Sequence, residues 1–332
     1  MLRFLVSRLI QSIVVLLIVS AITFSLLSAA GGDALTVLSS NPVTSQQTLA
    51  RLRKTYGLDR PLYYRYASWL GNLLQGDMGQ SSSFDAPVSV VLKPRTLATV
   101  ELTVTALALA ILASFVLGVA AARWPGGVMD RVSSAIVVVA SSLPRIVTAL
   151  FALAIVVEYA LFSLGRTDAG DSSSLFRLTV TAIVLAMPLF AVFLSQIQDG
   201  LKETMKADFV TVARAKGLSE SGLLLHHALR NTLNPVITIS GFALGGLVSG
   251  SVIVETVLGW PGLGQLSILA VRGRDVPLLM GLVLVSAAFV LAGNVVADLL
   301  LFVNDPRIRS GVRFRQIIPG RKLSHFETVE KS

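Results

Sequence analysis

Apolar residues in this chain fall in long unbroken runs, and charged residues gather between them. Six runs stand out, at about Leu9–Ala30, Thr96–Ala122, Val132–Leu161, Leu178–Gln198, Pro235–Leu258 and Leu278–Val303. Each reaches the roughly 20 residues that a helix needs to cross a bilayer. Lipid offers no partner to backbone polar groups, so such runs must be helices; the alternation of a membrane barrel is absent. The pattern predicts an all-α membrane protein with six transmembrane helices. Arg3, Arg8 and the cleavable-looking Leu27-Ser28-Ala29-Ala30 imitate a signal peptide. The apolar run is longer than a signal peptide's, so an uncleaved first span is expected.

The polar segments divide the chain further. Residues 1–30 form the N-terminal tail and first span, 31–95 an outer loop, 96–310 a core with spans two to six, and 311–332 a C-terminal tail. Within the outer loop, Tyr66, Trp69, Leu70, Leu73 and Leu74 recur at helical spacing. That face predicts an amphipathic helix, which either packs on the outer ends of the spans or docks an external partner. Gly259–Gly264 reads GWPGLG, a tight turn. It lacks the Gly-Lys-Ser/Thr ending of a phosphate loop, and no such pattern occurs elsewhere, so ATP binding by this chain in that manner is not expected. An outer gate or docking turn is expected instead at Glu255, Trp260, Pro261, Gly262, Gly264, Arg274 and Asp275.

Composition agrees with a membrane protein: 14% of residues are charged, against about 25% in soluble domains. Cysteine is absent, which removes disulfides, thiolate metal sites and a cysteine nucleophile. The net charge of +9 would point to nucleic acid in a soluble protein. Here the basic residues flank apolar runs, so topology and anionic membrane lipid account for them. With the N-terminus inside, 16 Lys and Arg fall in cytoplasmic segments and 4 in the two short outer loops, at Arg166, Arg177, Arg272 and Arg274. Both termini are therefore expected in the cytoplasm.

Charges within spans are costly and demand a reason. Arg145 falls near the middle of the third span, after Ser141 and Pro144, and Pro144 is expected to kink the helix. Two readings stay open: Arg145 lines a translocation path and attracts carboxylates, or it forms a structural ion pair with Glu158 or Glu255. Glu101, Glu158 and Glu255 lie towards outer span ends, where snorkelling is expected. Asn294 and Asp298 are spaced for a proton relay, but the scattered placement of these groups near the interfaces favours interface anchoring or helix–helix hydrogen bonding. The three histidines, His226, His227 and His325, lack neighbours at ligand spacing, so no metal site is expected.

The polar segment Asp208–Ile237 needs its own explanation. A first helix is expected over about Ala207–Lys216 and is stopped by Gly217 in the left-handed conformation. Ser219 caps a second helix, with Glu220 in its first turn. Asn234-Pro235 ends that helix, and Pro235 opens the fifth span. A DNA-binding helix-turn-helix has a similar pattern. Both ends of this segment run into spans, however, leaving no freedom to enter a groove. A rigid cytoplasmic knob that docks a protein and passes force to the spans fits better, which makes the chain a transport component rather than an enzyme.

Several stretches together carry a resemblance: YGLDRPL (Tyr56–Leu62), LLQGDMGQS (Leu73–Ser81), ARAKGLSE (Ala213–Glu220), HALRNTLNPVI (His227–Ile237), VETVLGWPGLG (Val254–Gly264), RDVP (Arg274–Pro277) and NDPRIR (Asn304–Arg309). The chain resembles the permease subunits of peptide/nickel-type ABC importers, specifically the first of their two membrane subunits. The resemblance implies that residues 199–234 form the coupling loop that seats in a groove of the ATPase. Ala213, Ala215, Lys216, Gly217, Leu218, Ser219, Glu220, His227, Arg230 and Pro235 are the positions concerned. It further implies alternating access, a second homologous permease, two ATPase subunits or domains, an extracytoplasmic solute-binding protein and a place in the bacterial inner membrane. ATP and Mg would sit on the ATPases, and this chain would hold no cofactor. Peptides are the expected cargo. The chain departs from the family in GGDALT (Gly31–Thr36), where Pro-Gly-Asp-Pro is usual, and in Arg145. An ion-driven secondary transporter or a channel is the competing class, with Asp298 or Arg145 in the relay.

Overall fold

A computed structural model describes residues 2–29, 60–159, 172–215, 217, 222–223 and 229–304. Among these residues the chain forms ten helices and one small hairpin. In chain order the elements are α1 (Leu2–Ala29), α2 (Leu62–Leu74), β1 (Gln80–Ser81), β2 (Ala86–Pro87), α3 (Val88–Arg123), α4 (Val128–Ser142), α5 (Arg145–Glu158), α6 (Ser172–Met205), α7 (Asp208–Ala215), α8 (Leu229–Val257), α9 (Leu263–Arg272) and α10 (Val276–Asn304). Five helices are long and apolar enough to cross a membrane, and α4 with α5 supplies a sixth span if the bent pair is taken as one. The all-α membrane architecture read from the apolar runs is therefore present.

The bundle centres on α6. Along α3, Leu102, Ala106, Ala110, Ser114, Gly118 and Ala122 repeat every fourth residue and are all buried. This stripe of small side chains lets α3 lie close to α6, where Leu185, Phe193 and Ile197 fill the core. Lipid tails are as apolar as leucine, so close van der Waals packing must hold the helices together. The same device joins α8 to α10. A Cβ at Gly241 would land on the Cβ of Ala297, and Gly293 in turn makes room for Leu244. α1 is peripheral and packs on α10, with Ser20 and Phe24 its buried residues among those described.

The predicted amphipathic helix is α2, and its aromatic face covers α1. Tyr66 places its ring edge-on to Phe24 at 5.6 Å between centroids, and its hydroxyl lies 2.8 Å from Ser20 Oγ. Trp69 lies 6.2 Å from Phe24. Leu74 leaves this packing and is exposed.

The third span, expected as one helix over Val132–Leu161 with a kink at Pro144, is instead divided in two. It breaks at Leu143-Pro144, and its halves meet at 101°. A residue before proline is pushed out of helical geometry by the pyrrolidine ring. Leu143 accordingly sits at φ −85, ψ 120 and Pro144 at φ −60, ψ 141, both extended. Arg145 is thus the first residue of a new helix and not the middle of an old one. Leu161 lies outside the described residues. Pro235 also departs from expectation. The candidate span does begin at Pro235, but the proline stands inside α8, which starts earlier at Leu229, so no helix ends at Asn234.

Candidate functional site: two bundle ends and a broken span

At one end of the bundle, α6 runs into α7. Val210 of α7 is buried, whereas Thr211, Val212, Arg214 and Ala215 are exposed. Val210 therefore anchors α7 to the bundle, and most of the helix's other described residues are solvent-exposed. The helix stops as expected. Gly217 adopts φ +81, and its N–H donates to the carbonyl of Arg214 at 2.9 Å. Glycine is the residue that takes this left-handed conformation without cost from a Cβ. A Cβ added there would meet no atom of the described residues within 4 Å. Ala213 lies in α7 and Arg230 in the first turn of α8. Lys216, Leu218, Ser219, Glu220 and His227 lie outside the described residues, as does most of the predicted second helix; Leu223 is described and is fully buried.

The same end carries two ties that sequence reading missed. Lys202, just before α7, pairs with Asp130 of α4 at 2.8 Å. One turn earlier, Gln198 Nε2 donates to Ser133 Oγ at 2.5 Å. Asp130 also accepts from the Gly126 N–H of the preceding turn. Asp298 is engaged as well, pairing with Arg8 of α1 at 2.9 Å. It serves as a tie between helices, which leaves its carboxylate occupied. Exposure of the pair is 42% and 24%, and exposed pairs contribute little. Arg8→Ala should therefore lower the melting free energy by at most about 1 kcal/mol, as differential scanning of the purified protein would measure.

The opposite end is built around two buried carboxylates. Glu255, near the end of α8, does not snorkel and has no exposed surface. It accepts from Thr99 Oγ1 of α3 at 2.8 Å, from the Gly264 N–H at 2.7 Å and from the Gln265 N–H at 3.1 Å. Those N–H groups open α9, where the first turn of a helix lacks internal acceptors. The carboxylate thus caps α9 and meets the positive end of its dipole. Gly262 and Gly264 are required because a Cβ at either would collide with the Glu255 carboxyl group. Gly259 turns the chain at φ +67, Trp260 Nε1 donates to the Ala98 carbonyl at 3.0 Å, and buried Arg177 donates to the Gly259 carbonyl. Arg177 was expected in an outer loop, but it belongs to α6 and faces Trp260. Asp275 caps α10 through the Leu278 N–H at 3.1 Å and binds the hairpin through Ser81 Oγ at 2.6 Å and the Ser83 N–H at 3.0 Å. Of the residues expected at a gate or docking turn, Glu255, Trp260, Gly262, Gly264 and Asp275 are buried, Pro261 is half-buried and Arg274 is exposed.

Between the two ends lies the break in the third span. Ser141 and Pro144 are exposed there, and Arg145 is half-buried. Its guanidinium fills the notch left by Gly250 of α8, where a Cβ would strike it. Glu255 is committed to α9, and no ion pair joins Arg145 to Glu158 among the described residues. Beside the break runs a groove of about 700 Å³ lined by apolar side chains such as Leu109, Val139, Ile183 and Phe190.

Residues 114–310 match the family described as binding-protein-dependent transport system inner membrane component, and residues 1–94 match its N-terminal companion. The chain belongs to this family. The permease is 32% identical to the oligopeptide transport system permease protein AppB of Bacillus subtilis, aligned over 93% of this chain and 99% of that protein. It is 34% identical to a peptide permease protein of Brucella suis and 33% identical to the glutathione transport system permease protein GsiC of Salmonella choleraesuis, each over 93% of this chain and 99% of the relative. The resemblance to peptide-type ABC importer permeases is borne out. The permease is a multi-pass component of a bacterial membrane transport system.

Proposed function

We propose that this chain is one of two homologous membrane subunits of an importer that carries di- or oligopeptides into the cytoplasm by alternating access. An extracytoplasmic binding protein delivers the peptide, two ATPase subunits or domains supply the work, and this chain catalyses no reaction itself. Both termini and α7 face the cytoplasm, as the distribution of Lys and Arg supports. The peptide cargo is supported by the names of the relatives, of which AppB and the Brucella protein are peptide permeases. The observation that carries the coupling role is α7: a short helix anchored to the bundle by Val210, with exposed residues along it and a left-handed glycine at its end. Docking of an ATPase on the exposed surface of α7 biases a two-state bundle through its different affinity for the two states.

The whole assembly in vesicles, with its partner permease, ATPases and binding protein, tests the reading. Peptide uptake should require both ATP and the binding protein. Gly217→Leu should keep the bundle folded, because its cost is confined to the backbone at about 1–2 kcal/mol. Uptake per ATP hydrolysed should fall by about tenfold, the size of a typical coupling between sites. Normal uptake in that variant would remove Gly217 from the coupling surface. Uptake driven by a proton gradient alone would replace the importer reading with an ion-driven one.

A further inference from the structure

The guanidinium of Arg145 has a position that lipid does not tolerate. Gly250, against which it lies, is seven residues from the end of α8, or about 10 Å below it. From the other side, the fifteen residues of α4 bring the break about 22 Å from Val128. Arg145 therefore sits well inside the apolar thickness. A charge at that depth faces protein or water. Within this chain no carboxylate among the described residues pairs with it, and no hydrogen bond satisfies it. The surface around it is also polar. Ser141 and Ser142 are exposed beside it, and each donates its hydroxyl proton back to its own helix, to Val137 and Val138. Their oxygens remain as acceptors in the last turn of α4. The neighbouring apolar groove, by contrast, offers nothing to a charged solute.

We propose that Arg145 is a carboxylate-selecting residue of the translocation path, which takes the terminal carboxylate of a peptide as it passes the break in the third span. The break starts a new helix at Arg145, and Gly250 provides the notch in α8 that the half-buried guanidinium occupies. A planar fork of N–H donors matches a carboxylate better than any other side chain does. The site rests on the importer reading given above and adds to it a charge requirement that this chain places on the cargo.

The test uses the complete reconstituted importer with saturating binding protein. ATP-driven uptake is compared for one peptide as the free acid and as its C-terminal amide. The binding protein is the same throughout, so any change in the acid-to-amide ratio between variants belongs to the permease. Arg145→Gln should lower uptake of the free acid by about tenfold, the value of a charge-assisted bond, with the amide changed less than about twofold. Arg145→Lys, which keeps the charge but loses the fork, should lower the ratio by about threefold. A ratio unchanged in Arg145→Gln would overturn the inference. So would equal loss of both peptides, which instead marks an ion pair with the partner subunit. Should Arg145→Gln fail to assemble, the ratio in Arg145→Lys decides alone, and a wild-type value overturns the inference. If the wild-type assembly takes up neither peptide, the peptide reading itself falls.

Discussion

Glu255→Leu will destabilise the permease by about 3–5 kcal/mol. The carboxylate is fully buried and accepts from two backbone N–H groups and one hydroxyl. Leucine has a similar length but no acceptor, so the Gly264 and Gln265 N–H groups would lose their partners in a region closed to water. Each buried donor left without an acceptor costs about 1–3 kcal/mol. The loss also strips the first turn of α9 of the negative charge that its dipole favours. Glu255→Gln should cost less than half as much, because its amide oxygen still accepts one bond. Melting of the detergent-solubilised protein would rank the three forms as wild type, Glu255→Gln, Glu255→Leu. Equal melting of wild type and Glu255→Leu would mean that α9 finds another cap.

Gly241→Leu should come next, at about 3 kcal/mol. The Cβ alone would fall on the Cβ of Ala297, and three further carbons would follow it into a contact already closed. α8 and α10 would have to part, and overpacking of this kind costs about 1–3 kcal/mol or more. The repair is specific. Gly241→Ala combined with Ala297→Gly exchanges the two methyl groups across the same contact and should recover most of the loss seen in Gly241→Ala alone. If the double variant melts no higher than Gly241→Ala, the close approach of these helices is not what the glycine provides.

Much of this architecture was readable from residue order. The helices lie where the apolar runs placed them, because lipid leaves the backbone a single choice. Their ends were less readable. α3 begins at Val88 rather than Thr96, since Lys93, Pro94 and Arg95 read as loop although they lie in the first turns of the helix. Pro144 announced a kink but not its size. Pro94, Pro188 and Pro235 sit within continuous helices, so the residue type does not determine whether a helix bends or breaks. Gly217 could be read because left-handed geometry is a local property of one residue. Glu255 could not, because its fate depends on N–H groups nine and ten residues away that reach it only after the chain has turned back. Arg177 was misplaced for a related reason: no local signal shows that the Gly259 carbonyl comes to meet it.

The two ties between α4 and α6 have a mechanical meaning that depends on the break beyond them. Lys202 and Gln198 fasten α4 to the stretch of α6 that leads straight into α7. α4 is therefore a lever bolted next to α7, and any rotation of that end of α6 reaches it through charge and hydrogen bonding. The lever ends at Ser142, after which Leu143 and Pro144 are extended and helical stiffness is interrupted. Beyond it, α5 leans on α8, whose far end is clamped by Glu255. One span thus belongs to two mechanical circuits, with the articulation between them one residue from Arg145.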